Sequence, residues 1–235
     1  MFLDSDDILA DKNVLVDCIE KITLSDSDFY NFSVSFIKDN KVVRNILVRN
    51  ERYVNGRDEI LSLGLYGKEI LTIPWNKIYR KNFLNNNNII FPCLKEQEDM
   101  VFIIHCCMKA SKTSFINRVI VHADVREDSL SRTMSSVNVK CCLDVFTSIE
   151  NQLKAEEIYG FFKNEFDCYK MRTSSYILLM TIDRVKSNND FLRGVKIIKE
   201  SGSLRPRLNI EMFRSLKLST IVGIIITKFS LLFHI

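Results

Sequence analysis

Residues that punctuate loops are scarce: seven glycines and three prolines in 235 residues exclude collagen-like and Pro-rich disordered classes. Histidine is equally rare, at three. No His-Glu-x-x-His helix, Cys-x-x-Cys pair or Gly-rich phosphate loop occurs, so no metal centre and no cofactor are expected. The N-terminus opens on acids and shows no basic-then-apolar leader. Seven cysteines, an odd number without the spacing of a disulfide framework, fit reduced thiols in an intracellular protein. The pairs Cys106-Cys107 and Cys141-Cys142 fall in runs that read as strands, where neighbouring side chains face apart, so neither pair converges on a metal.

A hydrophobic content of 46% is enough for a sizeable core. Charge is unevenly spread. Met1 to Tyr30 carries eight acids (Asp4, Asp6, Asp7, Asp11, Asp17, Glu20, Asp26, Asp28) against Lys12 and Lys21, a net −6, which leaves +10 on residues 31 to 235. Such a body attracts phosphate backbones or anionic lipid, and the acidic segment reads either as a detachable arm that limits indiscriminate binding or as a solvated face.

The pattern predicts a hairpin of Phe29–Ile37 and Val42–Arg49 around Lys38-Asp39-Asn40-Lys41, and a strand over Glu69–Trp75 stopped by Pro74. An exposed loop is expected over Tyr79–Pro92 with its run Asn85 to Asn88. Strands are expected over Met100–Met108, Ile116–Val125, Ser136–Phe146 and Tyr176–Val185. Gln152–Phe166 has helical spacing, and Phe191–Ile198 fits a strand or a short helix. The expected fold is α+β and strand-dominated: an acidic N-terminal arm (1–24), a β-rich core domain (25–205) with a covering helix, and a basic-apolar tail (206–235).

Basic residues beside aromatics suit sequence-tolerant binding of single-stranded nucleic acid: Lys77, Arg80 and Lys81 near Trp75 and Tyr79, then Lys109, Lys112, Arg118, Arg126 and Arg132. The plainer alternative is loop solubility. The apolar run Leu218 to Ile235 is a poor membrane span, because a central Lys228 costs about 2.5 to 3.5 kcal/mol on insertion scales. An interfacial anchor using Ile221, Val222, Ile224, Ile225, Ile226, Phe229, Leu231 and Leu232 and a buried C-terminal element both remain open. An enzyme would have to use His122 and Asp124, which share a strand face, or His105 with Cys106, which in a strand do not.

The stretch Val119-Ile120-Val121-His122-Ala123-Asp124-Val125, then Val137 to Asp144, then Gly160 or Gly194, and the segment Tyr176 to Val185 resemble the core of the thirty-kilodalton superfamily of plant-virus movement proteins. The resemblance makes Asp144 the family's characteristic Asp and Gly160 or Gly194 its Gly. It implies an antiparallel, jelly-roll-like β-sandwich, no enzymatic activity, nucleic acid as partner, and association with endoplasmic reticulum or plasmodesmata in host cytoplasm. On this reading the chain is a viral cell-to-cell movement protein. The alternative is a viral matrix-like structural protein that binds membrane and a viral nucleoprotein and self-associates as a homo-oligomer.

Overall fold

A computed structural model describes residues 1–67, 69–125, 135–185, 187–204 and 223–225. The chain divides into two compact units: Met1–Gly64, Glu69–Phe91 and Phe102–Ser129 form the first, and Leu65–Lys68, Pro92–Val101 and Leu130–Ile235 the second.

The first unit is built on a mixed six-stranded sheet. Its elements are β1 (Ile8–Leu9), α1 (Val14–Thr23), β2 (Phe29–Lys38), β3 (Lys41–Ile46), β4 (Arg52–Asn55), α2 (Arg57–Tyr66), β5 (Lys77–Tyr79), α3 (Lys81–Asn86), α4 (Glu98–Lys109) and β6 (Lys112–Asp124); the last two residues of α2 and the first turn of α4 belong to the second unit. The strand order is β1-β6-β2-β3, with β4 paired to β6 and β5 to β2. The two long central strands, β2 and β6, run parallel, and the other pairings are antiparallel.

Parallel strands are covered on both faces, which erases alternation; accordingly the first seven residues of β2 are all buried. Tyr30, Phe32 and Val34 pack with Val14 and Cys18 of α1 and with Ile116, Ile120 and Val121 of β6. On the other face Phe29 meets Tyr79 and Phe83, and Tyr79 meets Phe102 of α4. Phe32 pairs with Ile116 but the next residue, Ser33, pairs with Val119, so Asn117 and Arg118 bulge out of the ladder.

The β2–β3 hairpin forms as its sequence predicts. Asp39 and Asn40 have φ of 51° and 59°, the left-handed values of a type I′ turn whose twist matches the strands. Asn40→Val is therefore expected to cost about 1 to 2 kcal/mol, because a β-branched residue resists this region, whereas Asn40→Gly holds or raises stability. Urea midpoints of the two variants check this.

The second unit contains α5 (Ser136–Ala155), α6 (Lys163–Arg184) and α7 (Asn188–Glu200). Gly194 of α7 is buried, and a Cβ there would meet Thr181 Cγ2 at 3.2 Å and Val139 Cγ2 at 3.4 Å, so its small size permits close packing on α6 and α5. Asp190 of α7 accepts from the backbone N–H of Ser136 at 3.1 Å and from its hydroxyl, and Ser135 caps α5 through Asn138 N–H.

The expected strand-dominated β-sandwich is corrected: among the described residues about 49% are helical, with one mixed sheet. Three segments expected as strands lie in α4, α5 and α6. Val137 is 62% exposed whereas Val139, Cys142, Leu143, Phe146 and Ile149 are buried, a spacing of threes and fours rather than twos. In the Tyr176–Val185 segment Ile177, Leu178 and Thr181 are buried while Tyr176, Leu179 and Ile182 are exposed, again the helical period. In Met100–Met108 the run is apolar but for His105 and shows no alternation, and Glu98, Asp99 and Lys109 at the two ends suit the helix dipole. Glu69–Trp75 is irregular, and Tyr79–Pro92 contains α3, with Phe83 and Ile89 buried.

Candidate functional site

The acidic N-terminal segment is built into the sheet of the first unit. The Phe2 ring sits among Tyr79, Phe91 and Phe102 at centroid distances of 5.6, 5.1 and 5.6 Å. A turn follows, in which Asp7 N–H donates to Asp4 O at 3.1 Å. The chain then runs antiparallel to β6: Asp7 Oδ1 accepts from Asp124 N–H at 3.1 Å, Ile8 pairs with His122, Leu9 pairs with Val121, and Ala10 N–H donates to Ile120 O at 3.0 Å. Asp4, Asp6 and Asp7 thereby meet Asp124 at the carboxyl end of the parallel pair β2/β6, the end at which open α/β sheets bind ligands.

Burial pushes the Asp7 carboxyl up to about 6, and the charges of Asp4, Asp6 and Asp124 push the same way, while the hydrogen bond from Asp124 N–H opposes them. Crowded carboxylates are relieved by a cation. Among the described residues no three His, Cys, Asp or Glu side chains already surround one point. A cation at Asp7 would have to complete its shell with substrate phosphates and water, as Mg²⁺ does when one or two carboxylates hold it.

Other titratable groups offer less. His105 and Cys106 lie on α4, and Cys106 and Cys107 are buried, with burial pushing the Cys107 thiol up to about 12 and Cys18 up to about 11. Such thiols are inert at neutral pH. His122 Nδ1 is buried without a hydrogen-bond partner, so Asp124 does not orient the ring through it. An open depression of about 630 Å³ at the amino end of β2 is lined by Leu24, Asp26 and Arg80, but the guanidinium already donates to Ser27 O at 2.7 Å and pairs with Asp26 at 2.7 Å.

The residues expected to hold nucleic acid are dispersed. Lys77 is fully buried and donates to Leu71 O, Ile73 O and Asn76 Oδ1 at 2.7, 2.8 and 2.6 Å. Arg118 is clamped between Asp11 and Asp17 at 2.6 and 2.8 Å, and Lys112 sits over the Tyr53 ring at 4.7 Å. Lys81 is exposed at the start of α3, Lys109 is half-buried at the end of α4, and Arg126 and Arg132 lie outside the described residues. Asp144 is exposed on α5, Gly160 stands in an open turn after it, and Gly194 has the packing role given above.

Of the apolar tail, Ile224 is fully buried in the second unit, in a cluster with Cys168 and Met171 against which Ile225 also packs. Ile221, Val222, Ile226, Phe229, Leu231 and Leu232 lie outside the described residues. No described helix is long and apolar enough to cross a membrane.

No protein-family model matches the chain, and no curated protein matches its sequence. Among solved structures, S. aureus TarS 1–349 in complex with UDP-GlcNAc is similar at a TM-score of 0.49 and 17% identity, over 87% of this chain and 65% of that chain. TarS 1–349 with UDP gives 0.47 and 18%, over 89% and 68%. A longer TarS chain gives 0.48 and 18%, with 98% of this chain covering 39% of that one. The chain thus spans 65% of the first of these TarS chains and 39% of the longest.

The expectations of a movement or matrix protein, of single-stranded nucleic acid or viral nucleoprotein as partner, and of no enzymatic activity are corrected: the β-sandwich on which that resemblance depended is absent among the described residues, and the similar structures are of TarS, two of them with UDP-GlcNAc or UDP. Sequence reasoning passed over Asp4, Asp6 and Asp7 as a charged arm, although three carboxylates in four positions ahead of a short strand were a visible signal.

Proposed function

We propose that this chain belongs to a group-transfer enzyme and binds the diphosphate of a nucleotide-linked sugar through a divalent cation held by Asp7 with Asp4 or Asp6. The observation that carries the reading is the half-buried Asp7 carboxylate, crowded by three other acids at the carboxyl end of β2/β6. A cation bound there would neutralise the charge that develops on a leaving diphosphate. The chain's own contribution is placement: Asp124 N–H fixes one oxygen of Asp7, the Asp4–Asp7 turn brings the other acids near, and the ring of Phe2 anchors the turn.

UDP and UDP-GlcNAc, the ligands of the TarS structures, are suitable probes. Titration of Mn²⁺ followed by electron paramagnetic resonance, with and without UDP, is expected to show the two binding together and both being released by chelator. Asp7→Asn should weaken that binding on the order of 10- to 100-fold. Absence of Mn²⁺-dependent UDP binding by the parent chain, or parent-level binding by the variant, refutes the reading.

A further inference from the structure

We propose that Arg118, through Asp11 and Asp17, is a positioning residue for the Asp4–Asp7 turn; its role in cation binding rests on the function proposed above. Residues 7 to 11 are fastened to β6 in reverse order. Asp7 is held by Asp124 N–H, Ile8 and Leu9 pair with His122 and Val121, Ala10 binds Ile120 O, and Asp11 meets Arg118. Arg118 is thus the last fastening of the strip whose first is the Asp7 carboxylate.

The bulge at Asn117 and Arg118 takes the arginine out of the ladder register, the usual way a strand re-aims one side chain. Its fork then makes three donor contacts: Nε to Asp17 Oδ2 at 2.9 Å, Nη2 to Asp11 Oδ2 at 2.6 Å and Nη1 to Val119 O at 3.2 Å. The bulge is itself braced, because Asn117 N–H donates to Glu51 Oε1 at 2.9 Å and Ser33 Oγ to Asn117 Oδ1 at 3.2 Å, while Lys21 of α1 pairs with the same Glu51 oxygen at 2.8 Å.

A lone exposed ion pair contributes little. This guanidinium is only 23% exposed and joins two carboxylates, a geometry for which lysine is no equivalent. It also neutralises two acids within an acidic stretch. Without it, Asp11 and Asp17 would face each other as unpaired carboxylates, and their repulsion would favour peeling of the strip from β6 at its Asp11 end.

Arg118→Met and Arg118→Lys test the assignment, with Arg52→Met as control, since Arg52 pairs with Glu69 and Glu59 elsewhere in the sheet. Two readouts are taken at a temperature where every variant is folded: hydrogen exchange of the Asp7 to Ala10 amides, and Mn²⁺ affinity in the presence of UDP. Arg118→Met is expected to speed exchange at those amides tenfold or more and to weaken Mn²⁺ about tenfold. Arg118→Lys should fall between it and the parent, and Arg52→Met should match the parent in both. If Arg118→Met does not fold, Arg118→Lys and Asp11→Asn decide by the same readouts. Unchanged exchange at Asp7 to Ala10 overturns the proposal. So does faster exchange with unchanged Mn²⁺ affinity, which would leave Arg118 a merely structural role. Failure of the parent to bind Mn²⁺ with UDP would sink the functional reading, and exchange alone would then decide whether Arg118 holds the turn.

Discussion

Lys77→Ala is expected to destabilise the first unit by about 3 to 5 kcal/mol, the largest stability loss expected from the changes considered. The side chain is fully buried, and its ammonium is bound by Leu71 O, Ile73 O and Asn76 Oδ1. Truncation removes the donor to three acceptors at once and leaves the space of three methylenes and an ammonium. Asn76 links the site to the centre of the sheet, donating from Nδ2 to Phe32 O at 3.1 Å and accepting at its carbonyl from Phe32 N–H at 2.9 Å. Lys77→Met, which keeps most of the volume, should cost less but still about 1 to 3 kcal/mol for the acceptors left without a donor. Urea unfolding of the three chains measures both. A Lys77→Ala midpoint equal to the parent's would show that the ammonium network contributes nothing.

The second large effect is a gain. Asp7→Asn, the change expected to weaken cation binding, is also expected to stabilise the chain above pH 6. The carboxyl's pKa is raised from 3.8 to about 6, chiefly by burial. Between those values the folded chain retains a proton that the unfolded chain has released, so stability falls as pH rises through this window and the deficit is complete above about 6. The group is only half-buried, so screening by solvent reduces the deficit to about 1 kcal/mol. Asparagine keeps the oxygen that accepts from Asp124 N–H and removes the charge. Unfolding midpoints of parent and variant should therefore converge near pH 4 and separate, variant higher, at pH 8. A variant less stable than the parent at pH 8 would contradict this account of Asp7. The same titration predicts weaker Mn²⁺ binding below pH 6, where a proton competes for the carboxylate. Stability gained by deleting a residue is a common mark of a group kept for function.

How much of this was legible in the sequence depends on how local each signal is. The β2–β3 hairpin could be read because Asp39-Asn40 is itself the turn, and β6 because β-branched residues dominate it. The segments now in α4, α5 and α6 were misread for one reason: short apolar runs fit a buried helix as well as a strand. Val137 and Val139 look like strand alternation until burial shows one turned out and the other in. The basic residues misled differently. A sequence gives the sign of Lys77 and Arg118 but not their partners, which for Lys77 lie one to six residues away and for Arg118 include two carboxylates 101 and 107 residues away. The candidate site was hidden for the same cause, since Asp7 and Asp124 are 117 residues apart and meet only through the register of β1 on β6.

The cap that Asp190 places on α5 makes that helix depend on α7, a dependency that runs against chain order. A chain ending before Ser187 would lose the acceptor for the first turn of α5 and uncover the face of Val139 on which Gly194 rests. Helix α7 is thus not expendable: a polypeptide released before Glu200 emerges would hold α5 and α6 without the element that packs on both.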